Sequence, residues 1–434
     1  MLEILENLYI KYYKDSIVLK RFTKVFTLDI LVRASNFILL PVYLKLMSKE
    51  EFGLYTYLYS FIWILSLILN FGLYVAQTKL YHDYDNENRK ELLFSIYSSL
   101  TILIIFLLVP IYIFNIDYNI IGILFKNKIN YQPLRFYLAL SLIVSIYTFM
   151  LSNYFVTTEK IKNLQLFNAS KLLFVHGITL TFLYLNPLSD KVLLRLQYSY
   201  LVEGLIVLIF SYSLFNNFIF KINLNFIKKA FKISLPAMVT SILGLLYNFT
   251  DKFILEKYSG FSNIAVYNLA FTIASILIVI FYSFQSVYLP FFFKEKDVIK
   301  NFQKTKNILI KMGIIFVIIS ILIIVMVKVG LIFNILDKKY NDIMIILPIL
   351  LVAQILQSMV QLFNNYIIYF EIVYVGTLIG FGLSFVYIGL NLLLIPQFNI
   401  IGASVTTLII YLLSLIIYYI YFKKNQAYLV NSKN

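Results

Sequence analysis

Long apolar blocks, separated by short polar connections, make up most of this sequence. A helix of about 20 apolar residues is long enough to cross the ~30 Å hydrocarbon core of a bilayer. With 61% hydrophobic and 13% charged residues, the composition also departs strongly from that of a soluble domain. We therefore predict an all-α integral membrane protein. The twelve predicted membrane helices are 24–47, 52–76, 92–116, 134–157, 163–186, 194–217, 230–256, 262–292, 308–333, 342–370, 373–395 and 400–422.

Several classes of chemistry are disfavoured by what the chain lacks. It has no cysteine and only two histidines, His82 and His176, which argues against disulfides, thiol catalysis and a histidine metal centre. It has no G-x-x-x-x-G-K-[ST] loop for ATP, no serine-base arrangement, and no connecting segment large enough for a catalytic domain. We predict a protein that is not an enzyme and that needs no cofactor.

The net charge of +16 is distributed as in a membrane protein. If the N-terminus is cytoplasmic, 23 of the 37 Lys and Arg residues fall in inside segments and 12 in outside loops. The positive-inside rule therefore places both termini in the cytoplasm of a cell membrane, and no nucleic-acid partner is needed to explain the charge. Residues 1–24 carry too many charges for a cleavable signal peptide, so we expect them to be retained.

An internal repeat recurs at an offset of 212 residues. Residues Glu51–Tyr55 align with Asn263–Tyr267, and an Asn-Tyr-x4-Glu pattern at 153–159 aligns with the same pattern at 365–371. We expect the glutamate of each copy to be a helix-end device rather than a catalytic group. Because an even number of helices separates the copies, the repeats are predicted to be parallel. The corresponding lobes are residues 1–222 and 223–434.

Six further motifs follow one another along the chain: Leu40-Pro41, Glu51–Tyr55, Phe231–Pro236, Thr250–Leu255, Ala265–Ala270 and Asn391–Ser404. In this order the set resembles the polysaccharide-export and oligosaccharide-flippase branch of the multidrug/oligosaccharidyl-lipid/polysaccharide exporter superfamily. The resemblance implies two six-helix lobes around a central cavity and alternating access. It also implies export of undecaprenyl-pyrophosphate-linked oligosaccharide such as an O-antigen unit. Membrane lipids, a polysaccharide polymerase and assembly proteins are the further partners to expect.

A polar stripe lies on the first predicted membrane helix. Asp29, Arg33 and Asn36 share one helical face, although a charge at mid-bilayer costs at least ~2.5–3.5 kcal/mol. Arg33 is the best candidate for a phosphate ligand, because guanidinium binds phosphate oxygens in bidentate geometry. The alternative is an internal ion pair with Asp29 that holds the helix against a neighbour.

Helices five and six carry further intramembrane charges. Lys171 either binds substrate or extends its ammonium to the interface. Glu203, on one face with Arg195, either pairs with Lys171 or Arg195 or titrates and couples transport to protons. The possible coupling ions are Na⁺ and H⁺. His176 is a candidate for a proton relay, although a hydrogen-bonded packing role is the commoner one. Asp29 is the third coupling candidate.

Helix two presents a polar face with the only tryptophan of the chain. We predict that this face is a sugar-binding wall of the cavity; the alternative is that it is a polar seam where the lobes pack. The face consists of Thr56, Tyr59, Ser60, Trp63, Asn70 and Gln77. On helix seven, Asp251 and Lys252 are predicted to be a surface or gate pair near the outer end. Gly376-x3-Gly380 is predicted to allow close helix packing.

Two alternative functions remain open on the sequence. The first is a cation-coupled multidrug exporter of the same fold. A cavity with carboxylates and no paired cations would favour it, and Arg33 and Lys171 argue against it. A membrane glycosyltransferase or polymerase would need an acidic loop outside the membrane, and the predicted outer loops are short. We therefore predict a substrate site made of Arg33, Asp29, Asn36, Trp63, Asn70, Lys171 and Glu203.

Overall fold

The computed structural model describes residues 37–127, 129–295 and 297–431, and within these ranges it contains helices and turns but no strand. We number the helices in chain order. They are α1 Phe37–Leu46, α2 Lys49–Leu69, α3 Leu73–Asp83, α4 Asn86–Ile113, α5 Ile116–Leu124, α6 Tyr131–Thr157, α7 Ile161–Leu185, α8 Lys191–Phe215, α9 Leu224–Ala274, α10 Ile276–Lys294, α11 Val298–Ile332, α12 Ile343–Tyr369 and α13 Val373–Asn431.

Among the described residues, nine helical segments are long and apolar enough to cross a membrane. Two very long helices contain a sharp break, at Gly260 in α9 (φ 73°, ψ 175°) and at Asn399 in α13 (φ 50°, ψ −127°). Each break falls between two predicted membrane segments. The breaks therefore separate helices seven and eight, and eleven and twelve. The prediction of an all-α membrane fold with about twelve spanning helices is confirmed.

The chain packs as two compact units, each built from three separate segments. Of the described residues, those within 37–43, 69–106 and 133–235 form unit 1, and those within 44–68, 107–132 and 236–431 form unit 2. Both units draw on segments from each half of the sequence. The lobes 1–222 and 223–434, which were inferred from the repeat, stay a prediction.

In unit 2, α2 packs directly against the backbone of α9. Gly53 has so little room that a Cβ atom built on it would lie 1.8 Å from the carbonyl oxygen of Phe261. One turn further on, Tyr57 is fully buried, and its ring packs edge-on against Phe125 with the centroids 5.1 Å apart. Its hydroxyl donates to the Leu124 carbonyl oxygen at 2.9 Å, so the end of α5 is fixed to the same seam.

A buried glutamate closes the loop after α5, also within unit 2. Glu256 is completely buried, and its carboxylate accepts the backbone N–H groups of Lys126 and Asn127 at 2.9–3.0 Å. The side-chain amide of Asn127 donates a further bond to it at 3.0 Å. These donors satisfy a charge that would otherwise be costly to bury, and they account for Glu256 as a structural residue.

The two Asn-Tyr-x4-Glu segments end their helices in the same way. Glu159 and Glu371 both adopt left-handed backbone conformations, with φ of 55° and 59°. In each copy the glutamate N–H bonds to the carbonyl three residues back. The next N–H bonds to the carbonyl five residues back, which completes a Schellman motif. The prediction that these glutamates are helix-end devices is confirmed.

Two local predictions were wrong. The predicted helix 52–76 is broken, because Phe71 (φ 53°) and Gly72 (φ 69°) are left-handed and start a new helix. Close packing is absent at Gly380, where no described atom lies within 4 Å of the position of a Cβ.

Candidate functional site: a polar pocket in unit 2

A cavity of about 290 Å³ lies among α2, α9 and α13, entirely within unit 2. Its wall combines two charged side chains, several hydroxyl groups and a cluster of aromatic rings. The residues that line it are Tyr59, Ser60, Trp63, Ile64, Asp251, Lys252, Tyr267, Asn268, Phe271, Thr272, Tyr387, Thr407, Ile410 and Tyr411.

The two helix breaks bring these residues together. Asp251 precedes the break at Gly260 and Tyr267 follows it, so the chain folds back and the side chains meet. The combination of φ and ψ at Gly260 is one that glycine adopts far more readily than other residues. The turns also touch each other, because the Ser259 hydroxyl donates to the Asn399 side-chain oxygen at 2.8 Å.

Asp251 is held by a buried hydroxyl network. Its carboxylate, in a side chain that is only 4% exposed, accepts a 2.6 Å hydrogen bond from the Tyr267 hydroxyl. The Tyr267 hydroxyl is also 3.2 Å from that of Thr407 on α13. The carboxylate is therefore buried and hydrogen-bonded, so of the two predicted alternatives for the Asp251-Lys252 pair, surface or gate, the surface position was wrong for Asp251.

The Lys252 ammonium reaches across to α2. Its Nζ donates to the Ser60 hydroxyl oxygen at 2.7 Å, and Ser60 in turn donates to the Thr56 carbonyl at 2.8 Å. The bond joins residues 192 positions apart and places a cation in the pocket wall. Asp251 and Lys252 thus have different hydroxyl partners, Tyr267 and Ser60, within one pocket.

The aromatic part of the wall comes from both predicted and unpredicted positions. Trp63 and Tyr59 line the pocket and remain 45% and 50% exposed, as the predicted cavity face of helix two requires. Sequence reasoning missed Tyr267, Tyr387 and Tyr411, because nothing in the local sequence shows which of the 36 tyrosines face a cavity. One signal was available, since Tyr267 is the repeat equivalent of Tyr55.

A second charged cluster lies within unit 1. The Lys171 Nζ is 3.9 Å from the Glu203 carboxylate, which also accepts a 3.0 Å hydrogen bond from the Thr148 hydroxyl. Of the two alternatives for Glu203, the pairing with Lys171 is therefore the observed one. Lys171 also begins a five-residue π-helical turn in α7, a feature often found at functional sites, and its ammonium is 4.6 Å from the Phe167 ring centroid.

His176 and Arg195 meet at Tyr43, also in unit 1. The Tyr43 hydroxyl and the His176 Nδ1 are 3.0 Å apart, and the Arg195 guanidinium lies 3.8 Å from the centroid of the same tyrosine ring. The geometry is that of a packed, hydrogen-bonded histidine beside a cation–π contact. It accounts for both residues without a proton relay.

The remaining predicted site residues fall elsewhere. Asn70 is fully buried at the break after α2, where its side-chain oxygen accepts the Gly72 N–H at 2.8 Å. This bond accounts for Asn70 without a substrate. Asp29, Arg33 and Asn36 lie outside the described residues.

Solved structures with the same fold are transporters. The chain matches an inward-facing multidrug resistance MATE family transporter of the MOP superfamily with a TM-score of 0.71 and 13% identity. The match covers 93% of this chain and 96% of that one. Lipid II flippase MurJ in an inward closed conformation matches with a TM-score of 0.71 and 14% identity over 93% and 90% of the two chains. A MOP superfamily transporter from Pyrococcus furiosus gives a TM-score of 0.55, with 14% identity over 93% and 95%. At these identities the likeness concerns the fold.

The sequence itself decides the family. A family profile described as polysaccharide biosynthesis protein matches residues 18–296, well over half of the chain. The chain belongs to the polysaccharide biosynthesis protein family. No curated protein matches it in sequence. Membership in this family agrees with the resemblance noted from the motifs, and the helices and the MATE and MurJ fold make the chain a multi-pass membrane protein.

Proposed function

We propose that this protein is a flippase for a lipid-linked oligosaccharide. In this proposal it moves an undecaprenyl-pyrophosphate-linked repeat unit of a surface polysaccharide from the cytoplasmic to the outer leaflet by alternating access. The observation that carries the proposal is the pocket of unit 2, where a cation, hydroxyl groups and an open aromatic wall stand together within a membrane-spanning helical bundle. The polysaccharide biosynthesis family supports it, as does a fold like that of a lipid II flippase.

The pocket has the groups that such a headgroup needs. Pyrophosphate oxygens can replace the Ser60 hydroxyl at the Lys252 ammonium, because a charged acceptor forms a stronger hydrogen bond than a neutral one. Trp63 and Tyr59 offer ring faces and polar edges to a sugar. The Asp251 carboxylate accepts from Tyr267, whereas the Lys252 ammonium reaches Ser60 on α2, so the phosphates would lie on the Lys252 side of the pocket.

The site predicted from the sequence fits the same substrate in two places. Arg33 is proposed as a second phosphate ligand, and Lys171 with Glu203 as a pair that exchanges partners during transport. In that step the coupling ion, Na⁺ or H⁺, would act at Glu203 when Lys171 leaves it. We propose that both termini lie in the cytoplasm, as the charge distribution predicts, and that a polysaccharide polymerase is a partner on the outer side.

The competing candidate is a cation-coupled multidrug exporter, which a MATE fold would equally allow. Lys252 is the observation that disfavours it, because an ammonium in the wall repels cationic drugs. Anionic or neutral drugs would escape this argument, so drug resistance belongs among the measurements.

A complementation experiment tests the proposal. A deletion strain receives the wild type, Lys252→Met, or Lys257→Met as a matched control, and surface polysaccharide and protein level are measured together. Lys257 lies in the same helix, but its ammonium lies 4.3 Å from the Phe253 ring centroid and outside the pocket. We expect Lys252→Met to lose polysaccharide at normal protein level and Lys257→Met to retain it.

Arg33→Ala and Arg33→Lys extend the test to the first helix, with partial rescue expected for lysine alone. Equal polysaccharide in the deletion strain and the wild-type strain would overturn the proposal. If the deletion strain instead became drug-sensitive, the exporter would replace the flippase as the proposed function.

A further inference from the structure

A second and larger cavity opens within unit 1, and none of the site residues described above lines it. It is a groove of about 940 Å³ between α4, α6 and α8 that continues along residues 218–222. This volume is near the upper end of the ~300–1,000 Å³ typical of small-molecule sites. All three helices are long and apolar enough to cross a membrane, so the groove faces hydrocarbon over most of its length.

The lining of the groove is suited to hydrocarbon rather than water. Leucine, isoleucine, valine and phenylalanine side chains dominate it. Its main polar groups satisfy each other, because the Thr101 and Tyr147 hydroxyls are 2.6 Å apart and Thr101 also donates to the Tyr97 carbonyl at 2.8 Å. A groove whose wall is mostly aliphatic offers water few partners, and an aliphatic chain fills it better.

One hydroxyl in the groove wall is an exception. Tyr97 lines the groove and is 93% buried, and its hydroxyl has no hydrogen-bond partner among the residues that the structure describes. Its ring lies 5.9 Å from that of Phe218, which marks the end of the groove nearest the 218–222 segment. A buried donor without an acceptor is unfavourable, so an acceptor from a bound molecule would stabilise it. An acyl ester carbonyl is such an acceptor, and an isoprenoid chain has none.

Positive charge stands at that same end. Lys221 is next to the groove residue Ile222, and the backbone of Lys90 contacts that of Ile219. Lys221 lies 3.5 Å from Glu91, so the two lysines and this acid leave one net positive charge. Basic groups at the end of a cleft between membrane helices favour an anionic lipid headgroup.

The length of the groove also fits a lipid chain. Its lining residues on α8 run from Tyr200 to Phe215, about 22 Å at 1.5 Å per residue. One leaflet contributes about 15 Å to a ~30 Å hydrocarbon core. The groove is therefore longer than one leaflet is thick. An acyl chain anchored at the lysine end can lie inside the groove along the whole length of the chain.

We propose that this groove binds an anionic diacyl glycerophospholipid. The acyl chain lies between α4, α6 and α8, the ester carbonyl accepts from the Tyr97 hydroxyl, and the phosphate lies near Lys90 and Lys221. The site belongs to unit 1 alone and is independent of the sugar, so it stands whether or not the flippase proposal holds.

Lipid retention on the purified full chain tests the assignment. The probes are dioleoyl phosphatidylglycerol, its diether analogue and dioleoyl phosphatidylcholine, each counted on the protein by native mass spectrometry. We expect the wild type to retain the diester phosphatidylglycerol about fivefold better than the diether form, and Tyr97→Phe to abolish that difference. The double variant Lys90→Gln/Lys221→Gln should lower retention of phosphatidylglycerol, by about fivefold for each lysine, towards the level of phosphatidylcholine. The control variant Lys228→Gln should leave retention unchanged.

A filled groove provides the steric test. Ser211→Trp places a large ring in the groove and should displace the lipid, while Ile209→Trp, on the same helix but outside the groove, should not. Tyr97→Phe keeps the ring, so its melting temperature in lipid-free detergent should equal or exceed that of the wild type. The proposal is overturned if the wild type does not distinguish ester from ether lipid, if phosphatidylcholine is retained equally, or if Ser211→Trp retains lipid like Ile209→Trp.

Discussion

Replacement of Gly53 by alanine tests the packing on which unit 2 depends. The new Cβ would lie 1.8 Å from the Phe261 carbonyl oxygen and 2.5 Å from its carbon, where real Cβ atoms essentially never come closer than 3.0 Å. The helices must therefore separate by at least about 1.2 Å, and the obstacle is backbone that cannot change rotamer. Because Phe261 directly follows the break at Gly260, this separation would also disturb the turn that brings Tyr267 to Asp251.

The magnitude follows from two opposing terms. Overpacking of this kind costs about 1–3 kcal/mol, whereas alanine in place of glycine inside a helix returns up to ~1 kcal/mol. The expected net loss is about 1–2 kcal/mol, a lowering of Tm by about 1–2 °C in a protein of this size.

The assay is thermal unfolding of the purified protein in one detergent, with Gly389→Ala as the matched control. Gly389 lies inside α13, and no described atom is within 4 Å of the position of its Cβ. The control should therefore keep or raise Tm. If the two variants shift Tm in the same direction and by the same amount, the close approach of α2 and α9 is not as described.

Three further predictions follow from single contacts. Lys171→Met and Glu203→Gln should each lower the free energy of unfolding by roughly 1–3 kcal/mol, and the double variant should lower it by less than the sum. Additive losses in this double-mutant cycle would contradict an interaction between Lys171 and Glu203. Glu371→Gly should raise Tm by relieving a left-handed φ of 59°, and an unchanged or lower Tm would contradict this. Hydrogen bonds from the Lys339 backbone and side chain lower the pKa of Asp337, so this stabilisation is present above the unfolded pKa of about 3.9 and lost as pH falls. The melting advantage of the wild type over Asp337→Asn should thus be present at neutral pH and disappear in acid; an advantage that persists in acid would refute it.

Most helices and the breaks at Gly260 and Asn399 could be predicted from the sequence because they depend on local properties. Spans follow from apolar length, and the break at Gly260 falls where a glycine separates two apolar blocks. The repeat was informative for the same reason, since Glu159 and Glu371 end their helices by bonds to carbonyls at most five residues away.

The pocket could be predicted only in part, because its contacts join distant residues. Helical periodicity placed Tyr59, Ser60 and Trp63 on one face, but it carries no information about the partner of that face. The bond between Lys252 and Ser60 depends on how α2 packs against α9, which no local pattern in either helix specifies. For the same reason the sequence could not show that Asp251, predicted to belong to a surface or gate pair, is buried and accepts from Tyr267.

Asn70 shows the opposite error, a local feature that was given a long-range role. It shares the periodic polar face of helix two, yet the left-handed residues Phe71 and Gly72 end the helix beside it. Its side chain then serves the backbone of the turn. Hydrophobic periodicity assumes an unbroken helix, and that assumption fails at this residue.

The most direct test of the flippase proposal is movement of the substrate itself. The purified protein is reconstituted in liposomes with a fluorescent undecaprenyl-pyrophosphate-linked oligosaccharide, and transfer between leaflets is followed by quenching from outside. We expect rapid transfer with the wild type and with Lys257→Met. For Lys252→Met we expect transfer slowed by about 10- to 150-fold, the equivalent of a lost charged hydrogen bond of about 1.5–3 kcal/mol. Transfer no faster than in protein-free liposomes, or equal transfer by Lys252→Met and wild type, would contradict the account.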